Sequence, residues 1–383
     1  MLSNSLNLYG PLNELGYGIF TRGIIKGLHE AGVFDFSINE IGKVEIMDIE
    51  ELQTISSQKQ STPWDRNCPS LAIWHEFDLN KFSGKNLFAM PIFETTKFNP
   101  QAVNYLKQLD GVIVLSDWAK QVVIENIGKN TPVYVVPGAS DCFDHGEYSK
   151  IQRNPESFVF YTVGKFEMRK SHIEILEAFK VGFTDHKREA TLVMQVSNPF
   201  MPNMIANLTN ILQQLGYKIM QHSAVEGFLV AQSGNAIVRI FKQRVHKDTL
   251  FSLYKHAHCG LFPSKAEGWN LPLMEAIKMG LPCITTGYSA HTQYVNETSK
   301  YPKELILSNL TETVANDNAF FRGDRGNWMN ISTQELVEKM LYVVENYDKV
   351  EKEFKTTANY VKENFTWEKS AEKLMEVLDS HEG

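Results

Sequence analysis

Long apolar runs are missing from this chain of 383 residues. None approaches the ~18 residues needed to span a bilayer, so no transmembrane helix is expected, although peripheral membrane contact stays open. The opening Met-Leu-Ser-Asn-Ser-Leu has no basic segment followed by an apolar one, so no secretory signal is expected. Cysteine is sparse. Cys68, Cys142, Cys259 and Cys283 stand apart without Cys-x-x-Cys spacing, which points to free thiols in a reducing cytoplasm rather than to a disulfide framework. The eleven histidines include no His-x-x-x-His pair, and no Asp-x-Asp triplet occurs, so no metal is expected. There is no excess of positive charge either. The net charge of -7 argues against a broad footprint for nucleic acid or anionic membrane, while leaving room for a local basic cleft.

What is present is a repeated alternation of short apolar runs and helical periodicity. Leu71–Trp74, Gly111–Leu115, Val133–Val136, Phe158–Val163, Thr191–Val196, Cys259–Phe262 and Pro282–Thr286 read as strands. Their apolar residues are continuous rather than alternating, as in parallel sheets covered on both faces. Helices are expected between them, among them one from Gly18 to Ala31 and one from Met204 to Leu215. This pattern indicates an α/β, doubly wound architecture, and the length suggests two domains. A polar stretch from about His145 to Ser157 serves as the linker between an N-terminal domain, 1–150, and a C-terminal domain, 151–350; a charged helical tail, 351–383, follows. Ligands of such sheets bind beyond the carboxyl ends of the strands, where several candidate motifs lie.

The most informative stretch is Glu267-Gly268-Trp269-Asn270-Leu271-Pro272-Leu273-Met274-Glu275. Pro272 suits the first turn of a helix, and Gly280 with Pro282 suits its end. Glu267 then lies in a loop at the helix mouth and Glu275 on the helix. Unpaired N–H groups between them suit phosphate, and the carboxylates suit sugar hydroxyls. An ordinary capped helix with two surface acids has the same spacing. Gly164-Lys165-Phe166-Glu167-Met168-Arg169-Lys170-Ser171 follows a strand and opens a helix. Its two lysines, Lys165 and Lys170, can converge on a diphosphate, or the loop can simply be solvated. Asn13-Glu14-Leu15-Gly16-Tyr17-Gly18 is a glycine loop before a helix. It lacks the third glycine of a dinucleotide fingerprint and no strong strand is read before it, which argues against a nicotinamide cofactor. His75 stands at a strand end, hence at the cleft, although a satisfied structural histidine fits the same position. Glu94-Thr95-Thr96-Lys97 and Ser116-Asp117-Trp118 could line an acceptor pocket, with helix capping preferred for Ser116. Arg239–Arg244 could lie beside a base or form an edge strand.

In combination and in this order, these segments resemble the retaining glycosyltransferases of family 4, which have the GT-B architecture of two Rossmann-like domains facing each other across a cleft. Phe158 to Val295 carries most of the resemblance, through Gly164-Lys165…Lys170 and Glu267…Glu275. The tail Phe365-Thr366-Trp367-Glu368 is similar to the family's last helix, which returns to the N-terminal domain.

The resemblance implies transfer of a sugar from a nucleotide-diphosphate sugar, UDP favoured over GDP, to an acceptor hydroxyl on a glycan or lipid-linked glycan. The nucleotide sugar is a substrate, so no cofactor and no metal are implied. His75, Lys170 and Glu267 are the implied catalytic residues. Gly16, Gly18, Gly164, Lys165, Lys170, Arg244, Glu267, Gly268, Trp269, Asn270, Leu271 and Glu275 are implied to bind the donor. Within that set Lys165 stands for the family's usual arginine, Asn270 for a frequent glycine, tolerated in the left-handed region, and Ser171 for another glycine. The departing phosphate is implied to take the acceptor's proton, in keeping with the lack of a second obvious carboxylate in the N-terminal half. The N-terminal half also looks like a bacteriophage-encoded branch, so hydroxymethylated pyrimidines in phage DNA are an alternative acceptor. A nucleotide-sugar-binding protein without catalysis is a second alternative.

Overall fold

The computed structural model describes residues 5–141, 157–198, 200–223, 225–242, 247–316 and 323–381. Its first sheet contains β1 (Leu6–Gly10), β2 (Phe36–Glu40), β3 (Ser70–Ala72), β4 (Leu87–Ala89), β5 (Gly111–Val114) and β6 (Val133–Val135). All neighbours are parallel in the order β2-β1-β3-β4-β5-β6. Helices α1 (Gly16–Glu30), α2 (Ile49–Ser61), α3 (Pro100–Lys107) and α4 (Asp117–Ile127) accompany it. Local chemistry sets their ends: Asn99 caps α3 ahead of Pro100, Ser116 accepts from the Ala119 N–H to cap α4, and Gly128 at φ +82° closes α4.

The second sheet contains β7 (Ser157–Lys165), β8 (Glu189–Ser197), β9 (Lys218–Ser223), β10 (Phe228–Ser233), β11 (Ala236–Phe241), β12 (Cys259–Phe262), β13 (Cys283–Thr286) and β14 (Ile306–Leu307). They are ordered β14-β13-β12-β7-β8-β11-β10-β9, with antiparallel pairing confined to β9, β10 and β11. Around it lie α5 (His172–Phe183), α6 (Met204–Gln214), α7 (Lys247–His256), α8 (Leu271–Lys278), α9 (Thr333–Glu345) and α10 (Tyr347–Asn364); α11 (Trp367–Asp379) ends the chain. Every residue of β5, β12 and β13 is buried, as the continuous apolar runs require of strands covered on both faces. Among the described residues no helix is long and apolar enough to cross a membrane.

Two sequence expectations change. A strand does precede the glycine loop: β1. Its Asn7 makes the run look polar, yet Asn7 is buried and hydrogen-bonded to Ser37, Ser70 and the Asp65 carbonyl. Arg239 lies on an interior strand rather than an edge, because β11 pairs with both β8 and β10. The expected linker falls largely on 142–156, outside the described residues, as does Cys142.

The two halves are joined by more than that linker. α10 packs on α8 and α9, the chain crosses at Phe365-Thr366, and α11 lies on α1. Close approach there depends on two glycines. A Cβ at Gly23 would sit 2.2 Å from the Trp367 ring, and one at Gly27 would sit 2.1 Å from the Trp367 carbonyl oxygen. A second bridge is the hairpin of β15 (Leu310–Val314) and β16 (Asn327–Ile331). Its residues bond to the first half through Lys97 N–H to the Arg325 carbonyl (3.0 Å), Asn327 N–H to Thr96 Oγ1 (2.8 Å) and Trp328 Nε1–H to the Glu94 carbonyl (2.9 Å).

Candidate active site

Chain order reverses between β1 and β3 in the first sheet and between β7 and β12 in the second. Loops leaving neighbouring strands at such a point diverge and open a crevice. A cleft of about 480 Å³ lies there, between the two halves. The first half supplies Gly16 and Tyr17 after β1, Trp74, His75, Glu76 and Phe77 after β3, and Ile92, Phe93 and Glu94 after β4. The second half supplies Lys165, Glu167, Arg169 and Lys170 after β7 and Glu267 to Pro272 after β12, and the hairpin adds Arg325.

Charge on the second wall is arranged as a connected network. Lys170 Nζ lies 2.5 Å from Glu267 Oε1, and Arg169 NH1 lies 2.7 Å from Glu267 Oε2. Arg169 also reaches Glu167 (3.0 Å) and, across the cleft, Glu94 (3.2 Å), while Lys165 pairs with Glu167 at 2.6 Å. Ser264 Oγ donates to Glu267 Oε1 at 2.6 Å, and the Glu267 N–H donates to Ser289 Oγ at 2.8 Å. Burial would raise the Glu267 carboxyl, but Lys170, Arg169 and the hydrogen bonds hold it down at about 2. It is therefore a fixed carboxylate.

The first wall is aromatic and of the opposite character. Tyr17, Trp74 and Phe77 surround His75, with ring centroids 4.6, 4.9 and 5.0 Å from its imidazole. Burial pushes His75 down to about 4, so it is neutral near pH 7. Burial raises the carboxyls of Glu76 and Glu94, against the pull of Arg325 on the former and Arg169 on the latter. Tyr17 Oη donates to the Ile92 carbonyl (2.6 Å) and accepts from the Ile92 N–H (3.0 Å), fixing the loop that carries Glu94. Among the described residues no group of three His, Cys, Asp or Glu side chains is placed to hold a metal ion.

The cleft brings together Gly16, His75, Lys165, Lys170, Glu267, Gly268, Trp269, Asn270 and Leu271 of the residues singled out in the sequence. Gly268 lets the halves approach, since a Cβ there would lie 2.5 Å from Ile92. The Trp269 indole turns away from the cleft mouth, and its Nε1–H donates to the Ala139 carbonyl at 3.3 Å. Three residues do not line the cleft. Gly18 is turned under its own loop, where a Cβ would strike Asn13 at 2.3 Å. Gly164, at φ +151°, is the penultimate residue of β7 and lies beneath the Lys170 side chain. Glu275, one helical turn inside α8, acts on Tyr161 and Tyr254 instead. Arg244 lies outside the described residues.

The structure also adds residues. Arg169 is the hub of the network, although only the lysines of its motif suggest a phosphate site in sequence. Glu76 and Glu94 correct the expectation that the N-terminal half lacks a second carboxylate. Glu94 belongs to the Glu94–Lys97 segment expected to line an acceptor pocket; Glu76 follows the short strand β3, and that position is the signal that could have found it. Arg325, whose NH1 is 3.4 Å from Glu76, is some 250 residues from its partner and carries no such signal.

Residues 215–374 match the family described as Family 4 Glycosyltransferase in conflict systems. No curated protein matches the chain in sequence. Solved structures similar to it include Anabaena HepE in complex with UDP (13% identity, TM-score 0.65, covering 98% of this chain and 99% of that one). Another is sucrose-phosphate synthase from Thermosynechococcus elongatus (12% identity, TM-score 0.63, 98% of each chain). A third is the E. coli trehalose-6-phosphate protein bound with UDP-2-fluoro glucose (10% identity, TM-score 0.62, covering 98% and 99%). At such low identity these likenesses speak for the fold alone, which is GT-B, two parallel α/β halves facing each other across a cleft; the family match covers residues 215–374.

Proposed function

We propose that this protein transfers a glycosyl group from a UDP-sugar to a hydroxyl of a sugar acceptor, with retention of anomeric configuration and without a metal ion. The observation that carries the reading is the convergence of Lys165, Arg169 and Lys170 on the mouth of α8, beyond the strand ends where the sheet order reverses. First-turn N–H groups of a helix and preorganised cations stabilise the charge that grows on a departing diphosphate. In the step itself, the bond from the anomeric carbon to the phosphate oxygen breaks. The bond to the acceptor oxygen forms on the same face, and the acceptor proton passes to the departing phosphate. Closure between the halves keeps water from competing.

The acceptor is read from the first wall. Carboxylates at Glu76 and Glu94 suit hydroxyl donors, and the rings of Tyr17, Trp74, Phe77 and Phe93 suit the C–H faces of a sugar. Two carboxylates beside a neutral imidazole do not form the basic track that DNA phosphates require, so a glycan or lipid-linked glycan is favoured over modified DNA. The test is thermal shift and turnover with UDP-glucose, UDP-galactose, UDP-N-acetylglucosamine and GDP-mannose, each with and without EDTA. Stabilisation by a UDP-sugar that EDTA leaves intact is expected. No shift with any nucleotide sugar would overturn the assignment, and a shift abolished by EDTA would overturn its metal independence.

A further inference from the structure

We propose that the side-chain amide of Asn270 selects the transferred sugar by exchanging hydrogen bonds with its hydroxyl groups, an inference that rests on the UDP-sugar reading above. Asn270 precedes α8 at the position where asparagine ordinarily caps a helix, yet its side chain makes no capping bond. The reason is its backbone. At φ +69° and ψ +63° it is left-handed rather than extended, so the amide is turned away from the N–H groups of the first turn. It is only 4% exposed and lines the cleft, and neither its Oδ1 nor its Nδ2 has a hydrogen-bond partner. A buried amide with both ends unpaired is costly unless a ligand satisfies it.

The chemistry of a suitable ligand follows from those two atoms, one an acceptor and one a donor. An ionised diphosphate offers only acceptors, so it can pair with Nδ2 and would repel Oδ1. A hydroxyl both donates and accepts, and adjacent sugar hydroxyls can meet both atoms at once. Glu267, three residues earlier, is poorly placed to do this reading alone. Its Oε1 already accepts from Lys170 and Ser264, and its Oε2 from Arg169. That leaves about one of its roughly four acceptor positions open. The carboxylate holds the cations in place, and the amide beside it reads the sugar.

The test is calorimetric titration of the wild type and Asn270→Gly with UDP and with the best-bound of UDP-glucose, UDP-galactose and UDP-N-acetylglucosamine, then with the deoxy analogues of that sugar. Glycine suits φ +69°, so the melting temperature of Asn270→Gly is expected not to fall. Its affinity for the UDP-sugar is expected to drop about tenfold while that for UDP is unchanged. In the wild type, loss of one particular hydroxyl weakens binding, and in the variant the same loss costs nothing. Equal weakening of UDP and UDP-sugar would assign the amide to the nucleotide and overturn the inference, as would unchanged affinity for both. A wild type that binds UDP but discriminates against no deoxy analogue would overturn it even if the variant failed to fold. A wild type that binds no UDP-sugar would instead bring down the functional reading on which it rests.

Discussion

The wall built from residues 165–170 and 267–272 holds three cations against two carboxylates, whereas the wall built from 74–77 and 92–95 holds two carboxylates and a neutral histidine among aromatic rings. One is suited to a ligand that arrives with negative charge, the other to one that arrives with hydroxyls. They also differ in construction. The charged wall comes from two continuous segments, each at the end of a central strand of the second sheet. The aromatic wall is assembled from loops after β1, β3 and β4, and a hairpin from the distant second half completes it. The lesson is that a charged wall can reside in short motifs, while an aromatic wall of the same cleft is distributed over the fold.

Substitutions on each wall should separate these roles. The largest effect is expected from Lys170→Ala, with kcat/KM for transfer from a UDP-sugar falling by about 10²–10³-fold, because one cation facing the departing phosphate is lost. Activity within a few-fold of wild type would remove the charged wall from the mechanism. Acidification comes next. Burial holds His75 and His291 at about 4 and His172 at about 3, against 6.5 when unfolded. The unfolded chain therefore binds protons first, and stability is lost as pH falls from about 6.5 toward 4, by up to ~1.4 kcal/mol per pH unit for each histidine. Glu76 and Glu94, whose carboxyl values burial raises, bind protons more readily in the folded state and so oppose that slope. Glu267, held at about 2, keeps its contribution until the pH falls below its unfolded value of 4.5. Urea midpoints from pH 7.5 to 4.5 measure this; a flat profile would contradict neutral buried histidines in both halves.

Glu76→Gln tests the aromatic wall more finely. The acceptor KM is expected to rise about tenfold with the donor KM unchanged, because a charged acceptor of hydroxyl donors becomes a neutral one. A rise in donor KM instead would merge the two walls into one site. The smallest effect belongs to Lys97→Ala, which removes the exposed ion pair with Asp324. The melting temperature should not move, since backbone and buried side-chain bonds to Thr96, Lys97 and Glu94 hold the hairpin to the first half.

Legibility followed the same division. Gly164-Lys165…Lys170 and Glu267…Leu271 could be placed at a cleft because both follow apolar runs that can only be buried strands, and the helix after Asn270 is announced by Pro272 and ended by Gly280 at φ +75°. β1 went unread because its polar Asn7 is satisfied by partners up to 63 residues away. Arg169 looked like one more basic loop residue, since only the fold sets Glu94, Glu167 and Glu267 around it. Glu275 shares the spacing of a sugar-binding pair, but the turn of α8 carries it toward Tyr161 and Tyr254.

By itself the sequence determined the layered α/β architecture, the strand-end loops that carry lysine and glutamate, and the helix that opens beside Glu267. These depend on apolar periodicity and on residues that start or stop helices, which act within a few positions of one another. Only the tertiary structure decided which of those charges are neutralised by one another, which histidines are kept neutral, and that Arg325 from the distant hairpin meets Glu76. Those outcomes depend on burial and on distances between residues far apart in the chain, and a low-dielectric interior makes such distances decisive.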